Sequence, residues 1–241
     1  MTSILVTGGT GTLGKPTVTR LRADDHQVRV LSRKPGPGRA VADLSTGEGL
    51  AAAVDGSDVV VHLATSGGRG DVAQTRNLLA AGAGVRHLIV MSIAGIDRIS
   101  LSYYRSKLEG EQLVAESGVP YTILRATQFH NLVDQVFGAQ RFLPALLAPA
   151  IMLQPIAVED VAVRLAELVG RPPVNGRVDD IGGPERTPAV ELARLWKQAR
   201  STHRAVLPVR LPGKMFGALA AGALTVDGPE YGRSTFAEYL R

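Results

Sequence analysis

The segment Val6-Thr7-Gly8-Gly9-Thr10-Gly11-Thr12-Leu13-Gly14 constrains this chain more than any other. It grows out of a β-branched and leucine run, Ile4-Leu5-Val6, and leads into Leu13, Val18 and Leu21, which recur at helical spacing. A strand, a tight turn and a helix in that order give each glycine of the turn a task. Gly8 lets the chain turn sharply, Gly11 lets backbone amides approach a ligand with no Cβ in the way, and Gly14 lets the helix pack close to the sheet. The unpaired amides and the positive dipole end of the helix then face an anion. The strand before, the helix after and the early position agree on a phosphate-binding turn rather than an empty glycine-rich connection.

The same alternation returns along the chain. Apolar runs at Gln27 to Leu31, Val59 to Leu63 and His87 to Met91 predict strands, with helices from about Asp71 to Ala83 and from about Ser102 to Glu116; Tyr121 to Arg125 predicts one more strand. Continuous apolar strands separated by helices demand a parallel sheet covered on both faces. The expected fold is therefore α/β, a Rossmann-type doubly wound parallel sheet, in a single domain over 1–241. A dinucleotide-binding core takes up about 1–128 and a mixed C-terminal substrate lobe about 129–241. In that lobe the pattern predicts a helix from about Glu159 to Gly170, a strand at Val178 to Ile181, a helix from about Pro188 to Ala199, and a last short helix opened by a Thr235/Glu238 capping box.

Composition narrows the function. With 241 residues, 45% of them hydrophobic, the chain has material for a sizeable core, and with no cysteine it has neither disulfides nor thiolate chemistry. No metal site is expected. The longest apolar stretch, Phe142 to Val158, is broken by Pro144, Pro149 and Pro155, so no membrane span is expected. The start lacks the pattern of a signal peptide, and the expectation is a cytoplasmic protein. A net charge of +5 comes from scattered arginines rather than one basic face, which argues for a basic cofactor pocket and against nucleic acid. Oligomeric state is not legible.

The second strand ends in Val30-Leu31-Ser32-Arg33-Lys34, where a site for NAD usually carries a carboxylate to accept from the ribose 2′-hydroxyl. A guanidinium instead grips a 2′-phosphate through parallel charge-assisted bonds. Arg33, with Ser32 and Lys34 as helpers, points to NADP(H) ahead of NAD(H), the alternative being that these are solvated loop charges.

In these residues the chain resembles the short-chain dehydrogenase/reductase superfamily, whose Thr-Gly-x-x-Gly-x-x-Gly pattern Thr7 to Gly14 matches. It is most similar to the atypical, NmrA-like branch of NAD(P)-binding proteins. The likeness continues through Tyr103-Tyr104-Arg105-Ser106-Lys107, through Thr122 to Phe129, and through Ile156 to Ala162. It implies cofactor contacts from Thr7, Gly8, Thr10, Gly11, Thr12, Leu13 and Gly14, from Ser32 and Arg33, from Leu63 and Ala64, and from Lys107. Asp43 matches by position a residue that contacts adenine, or else it caps a turn or helix. The resemblance also implies Tyr103 as proton donor, Lys107 as its activator and Ser92 as substrate anchor. Positions i and i+4 share a helix face, and an ammonium beside a phenol draws its pKa down. Tyr104 is the alternative tyrosine. In a purely structural reading, Tyr103 or Tyr104 packs with Leu108 against the sheet while Lys107 pairs with Glu111.

Gln128, Phe129 and His130 follow the strand at Tyr121 and are expected to line the substrate pocket, with His130 either a proton donor or a packed or capping residue. Phe129, Phe137 and Phe142 suggest an apolar lid over a small, rather nonpolar substrate. Trp196 is expected in the core. The leading expectation is an NADP(H)-dependent oxidoreductase acting on a small carbonyl, quinone or enone. The alternatives are a non-catalytic NADP(H) redox sensor of the NmrA type and an isomerase or dehydratase that keeps the cofactor fold.

Overall fold

In the computed structural model, which describes residues 1–241 apart from Ser100, Leu211 and Pro229, the chain begins as β1 (Ser3–Thr7), turns through the glycines and enters α1 (Gly14–Ala23). It continues through β2 (Gln27–Ser32), β3 (Arg39–Val41), α2 (Leu50–Val54), β4 (Val59–His62), α3 (Gly70–Ala81), β5 (His87–Ile93), α4 (Ser102–Glu116) and β6 (Tyr121–Ala126). Next come α5 (His130–Gly138), β7 (Ala145–Pro149), β8 (Met152–Leu153), α6 (Val158–Val169) and β9 (Gly176–Arg177). The last elements are β10 (Thr187–Pro188), α7 (Ala189–Ala199), β11 (Ala205–Val209), α8 (Lys214–Ala220) and α9 (Phe236–Tyr239).

The main sheet runs β3-β2-β1-β4-β5-β6-β9, and the pairs with described register are parallel. This is a Rossmann-type doubly wound sheet. Its strand order reverses at β1, whose neighbours are β2 and β4, and ligands bind such sheets outside the carboxyl ends of strands at that switch point. The β1 register, Thr7 opposite His62, puts the glycine turn beside the end of β4. Leu5, Leu31, Val60, Leu88, Val90 and Ile123 point to one face and pack with Leu50, Leu78 and Val114 from α2, α3 and α4.

The chain forms two compact units. The first comprises Met1–Ser92, Leu101–Arg125 and Val161–Asp179, and the second Ile93–Ser100, Ala126–Asp160 and Asp180–Arg241. The core of the second gathers Val133, Phe137, Leu146, Leu192, Trp196 and Phe236. Its β7 and β11 pair in parallel, Ala145 opposite Ala205.

The strand expected at Val178 to Ile181 is shorter and earlier. Pairing with β6 covers Gly176 and Arg177, the Val178 amide still donates to the Ile123 carbonyl at 3.0 Å, and Ile181 makes only an isolated bridge with Ala126. The chain leaves the first unit at Asp179, which ends the ladder. The capping box is present: the Glu238 amide donates to Thr235 Oγ1 at 3.2 Å and the Thr235 amide to Glu238 Oε2 at 2.8 Å.

Candidate functional site

Gly8 has φ +67°, and a Cβ there would lie 2.7 Å from the Ala64 amide nitrogen, so only glycine lets the turn lie against the chain leaving β4. Thr10, Gly11 and Thr12 are exposed at the crest of the turn. A Cβ on Gly14 would strike the Gly8 carbonyl and the Gly9 backbone. The close approach that Gly14 permits is therefore to the turn itself, not to the sheet, because α1 starts directly beneath it. No side chain caps α1 at Leu13; the Lys15 amide donates to the Gly11 carbonyl at 3.1 Å, the Thr17 amide to the Leu13 carbonyl at 3.2 Å, and Pro16 has no N–H, which leaves the Gly14 amide of the first turn for an anion. These features fit a dinucleotide pyrophosphate.

Thr7 is fully buried, and its hydroxyl meets His62 Nδ1 at 2.7 Å and accepts the Leu63 and Ala64 amides at 3.2 and 3.3 Å. Its part at the site is to tie the ends of β1 and β4 together, which brings Gly8, Leu63 and Ala64 to one place. Arg33 is exposed just after β2, and the half-buried Ser32 hydroxyl accepts the Lys34 amide at 3.1 Å and donates to the Lys34 carbonyl at 3.0 Å, shaping the bend that carries Arg33. Asp43 Oδ1 accepts the Ser45 amide at 2.7 Å, a turn role that occupies one carboxylate oxygen.

A polar cluster lies where β4, α3 and α4 meet. Asp71, in the first turn of α3, is buried and accepts from the Thr65 hydroxyl at 2.6 Å, the Ser66 hydroxyl at 2.7 Å and the Ser66 amide at 2.5 Å. Lys107 Nζ closes on Asp71 Oδ2 at 3.1 Å. The Lys107 to Glu111 pair of the purely structural alternative does not form, because Glu111 is turned to Arg125 of β6. Tyr103 Oη lies 3.3 Å from Thr65 Oγ1, and the Lys107 ammonium sits 6.0 Å from the Tyr103 ring centre. Behind them, His62 Nε2 is 3.3 Å from Thr75 Oγ1.

Burial works to raise the Asp71 carboxyl, but the Thr65 hydroxyl, the Ser66 amide, the Lys107 ammonium and the Ser66 hydroxyl outweigh it and hold it at about 2. Burial, then the Lys107 charge, pushes His62 down to about 4 against the pull of Asp71, so this imidazole is neutral at physiological pH. Burial and then the neighbouring Tyr103 raise the Tyr104 phenol. The structure thus brings Tyr103 and Lys107 into one cluster and adds Thr65, Asp71 and His62, which the motifs do not reveal. A histidine inside the apolar run Val59-Val60-Val61-His62 is the one signal of it in the sequence. Ser92, at 3% exposure, has a buried hydroxyl with no hydrogen-bond partner, so it is joined neither to Tyr103 nor to Lys107.

In the second unit, Gln128 Nε2 donates to the Leu224 carbonyl at 3.4 Å while its Oε1 is buried without a partner. Phe129 is half-buried and precedes α5. His130 is 1% exposed, with Nε2 at 3.0 Å from the Pro155 carbonyl and its ring against Phe236 and Tyr239. Burial lowers its pKa, opposed by the Pro155 carbonyl, Asp160 and Glu159. It is a packed residue. The three phenylalanines do not form a lid: Phe137 packs on Trp196 in the core and Phe142 is 83% exposed. The helical pattern of α5 turns Phe137 inward, so the lid gives no support to a nonpolar substrate. Trp196 is a core residue whose Nε1 donates to Asp134 at 2.6 Å. Among the described residues no acidic or histidine cluster is placed to hold a metal, and no helix is long and apolar enough to cross a membrane.

Residues 8–172 match the family described as NAD(P)H-binding. The (4-alkanoyl-5-oxo-2,5-dihydrofuran-3-yl)methyl phosphate reductase of Streptomyces griseus is 33% identical over 203 residues, 78% of this chain and 70% of that protein. Divinyl chlorophyllide a 8-vinyl-reductase of Oryza sativa is 28% identical over 221 residues, 76% of this chain but 55% of that protein, so the chain spans about half the length of this relative. Among solved structures, the NADPH-dependent quinone oxidoreductase of Escherichia coli complexed with NADPH has a TM-score of 0.83 at 20% identity, with 98% of both chains covered. A nucleoside-diphosphate-sugar epimerase of Staphylococcus aureus has a TM-score of 0.82 at 20% identity, with 99% of both covered. At these identities the solved structures show the shared fold.

Proposed function

This chain belongs to the NAD(P)H-binding family, and from that premise we propose that it is an NADP(H)-dependent reductase acting on a carbonyl, quinone or activated alkene of a small molecule. The observation that carries this reading is Tyr103 and Lys107 on one face of α4, with a phenol hydroxyl held at 3.3 Å from Thr65 and an ammonium 6.0 Å from the ring, in the unit that contains the glycine turn. Two relatives named as reductases agree with it.

The glycine turn, with the amides of Thr10, Thr12, Leu13 and Gly14, would hold the pyrophosphate, while the Gly11 amide closes the turn on the Gly8 carbonyl at 2.9 Å; Leu63 and Ala64 would border the cofactor. The exposed Arg33 guanidinium suits a 2′-phosphate, and Asp43 retains one carboxylate oxygen for the adenine side. The bound cofactor supplies the hydride. Tyr103 Oη would hold the proton that balances it, and Lys107 would orient the ribose.

The test is NADPH oxidation against quinones, aldehydes, ketones and enones, beside a direct titration of NADPH binding. Turnover that Tyr103→Phe abolishes with NADPH affinity retained is the expected result. Tight binding without turnover across the panel overturns the reductase reading in favour of a sensor.

A further inference from the structure

The hydrogen bonds around Thr65 have fixed directions. An ionised carboxylate only accepts, so at 2.6 Å from Asp71 Oδ2 the single proton of the Thr65 hydroxyl is given to Asp71. Thr65 Oγ1 already accepts the Gly67 amide at 3.2 Å. Its remaining contact, 3.3 Å to Tyr103 Oη, then requires Tyr103 to donate. A phenolate there has nothing to donate, and Thr65 could turn its proton to it only by breaking a charge-assisted bond to Asp71. The same carboxylate pairs with the Lys107 ammonium at 3.1 Å.

We propose that Asp71 and Thr65 are positioning residues for Tyr103: the chain from Tyr103 through Thr65 to Asp71, with Lys107 closed on the same carboxylate, fixes the Tyr103 hydroxyl as a hydrogen-bond donor. This rests on Tyr103 being the acid of the proposed reaction. The other groups facing the cluster are consistent with the assignment. His62, from β4, titrates at about 4 and carries no charge at alkaline pH, and Tyr104, beside Tyr103 on α4, has its own phenol raised by burial.

The test is an ultraviolet difference titration of phenolate absorbance on the intact, cofactor-free protein, with Tyr103→Phe identifying the share of Tyr103. Asp71→Asn should lower the Tyr103 titration, because the Lys107 ammonium then loses its carboxylate partner. Thr65→Val, at an exposed loop position, should lower it by a smaller step while leaving the Asp71 to Lys107 pair in place. A Tyr103 titration that is unchanged or raised in folded Thr65→Val overturns the proposal even if Asp71→Asn fails to fold. Because no substrate is needed, this outcome is separate from the turnover panel. A lowered titration without turnover upholds the hydrogen-bond chain and overturns only the reductase reading.

Discussion

Glu111 of α4 holds Arg125 of β6 through two hydrogen bonds, Nε to Oε1 at 2.9 Å and Nη2 to Oε2 at 2.6 Å, with side chains only 9% and 4% exposed. The pair joins helix to sheet beside the Tyr103 cluster and explains why Lys107, four residues before Glu111, takes Asp71 as its partner. Removing Glu111 strips the buried Arg125 guanidinium of two charge-assisted hydrogen bonds. Glu111→Ala should therefore lose about 3–5 kcal/mol of unfolding free energy in urea, while Glu111→Met with Arg125→Met should recover most of it. A loss below about 1 kcal/mol in the single variant would mark the pair as no stronger than a surface contact.

Acid should weaken the fold in two steps. His62 falls from 6.5 in the unfolded chain to about 4 in the fold, so the unfolded state binds the extra proton; its contribution is full above 6.5 and is lost as pH falls through about 4. The loss is on the order of 3 kcal/mol. Asp71, depressed from 3.8 to about 2, adds a smaller loss below pH 3.8. Urea midpoints across this range should fall less steeply for His62→Asn than for the parent protein. Equal slopes would mean that His62 is not what titrates.

The turn glycines should separate by readout. At Gly8, with φ +67° and Ala64 2.7 Å from any Cβ, alanine should cost about 1–3 kcal/mol of stability and lower Tm along with NADPH affinity. At Gly11 a Cβ would meet only the Gly8 carbonyl at 3.2 Å, so Gly11→Ala should leave Tm nearly unchanged and still weaken NADPH in a calorimetric titration. Unchanged affinity in Gly11→Ala would remove the pyrophosphate from the turn.

Arg33 decides between the cofactors. Arg33→Ala should weaken NADPH by about 1.5–3 kcal/mol, the value of a lost hydrogen bond to a charged group, and leave NADH nearly as before. Fluorescence titration with both nucleotides measures the difference, and equal weakening would take the 2′-phosphate away from this guanidinium.

The elements legible in the sequence are those held by near neighbours. The helix α4 from Ser102 to Glu116 and the capping box of Thr235 with Glu238 rest on bonds within a few residues of chain, and the strand, turn and helix at Ile4 to Leu21 carry a local pattern although β1 itself is held by β2 and β4. The same locality put Tyr103 and Lys107 on one face of α4.

Pairings across long stretches of chain were not legible. β7 pairs with β11 sixty residues on, as in Ala145 with Ala205, although both strands contain proline, which a two-stranded ladder tolerates at its edges. The i,i+4 rule offers Lys107 the carboxylate of Glu111, but burial of Arg125 in β6 claims that carboxylate. α3 then brings Asp71 to Lys107 from thirty-six residues away. By itself the sequence determined the parallel sheet, the glycine turn and the Tyr103 to Lys107 spacing, because periodicity and turn chemistry are local. Only the tertiary structure decided that Asp71, Thr65 and His62 surround that pair, because which buried charge meets which depends on how the helices cross the sheet.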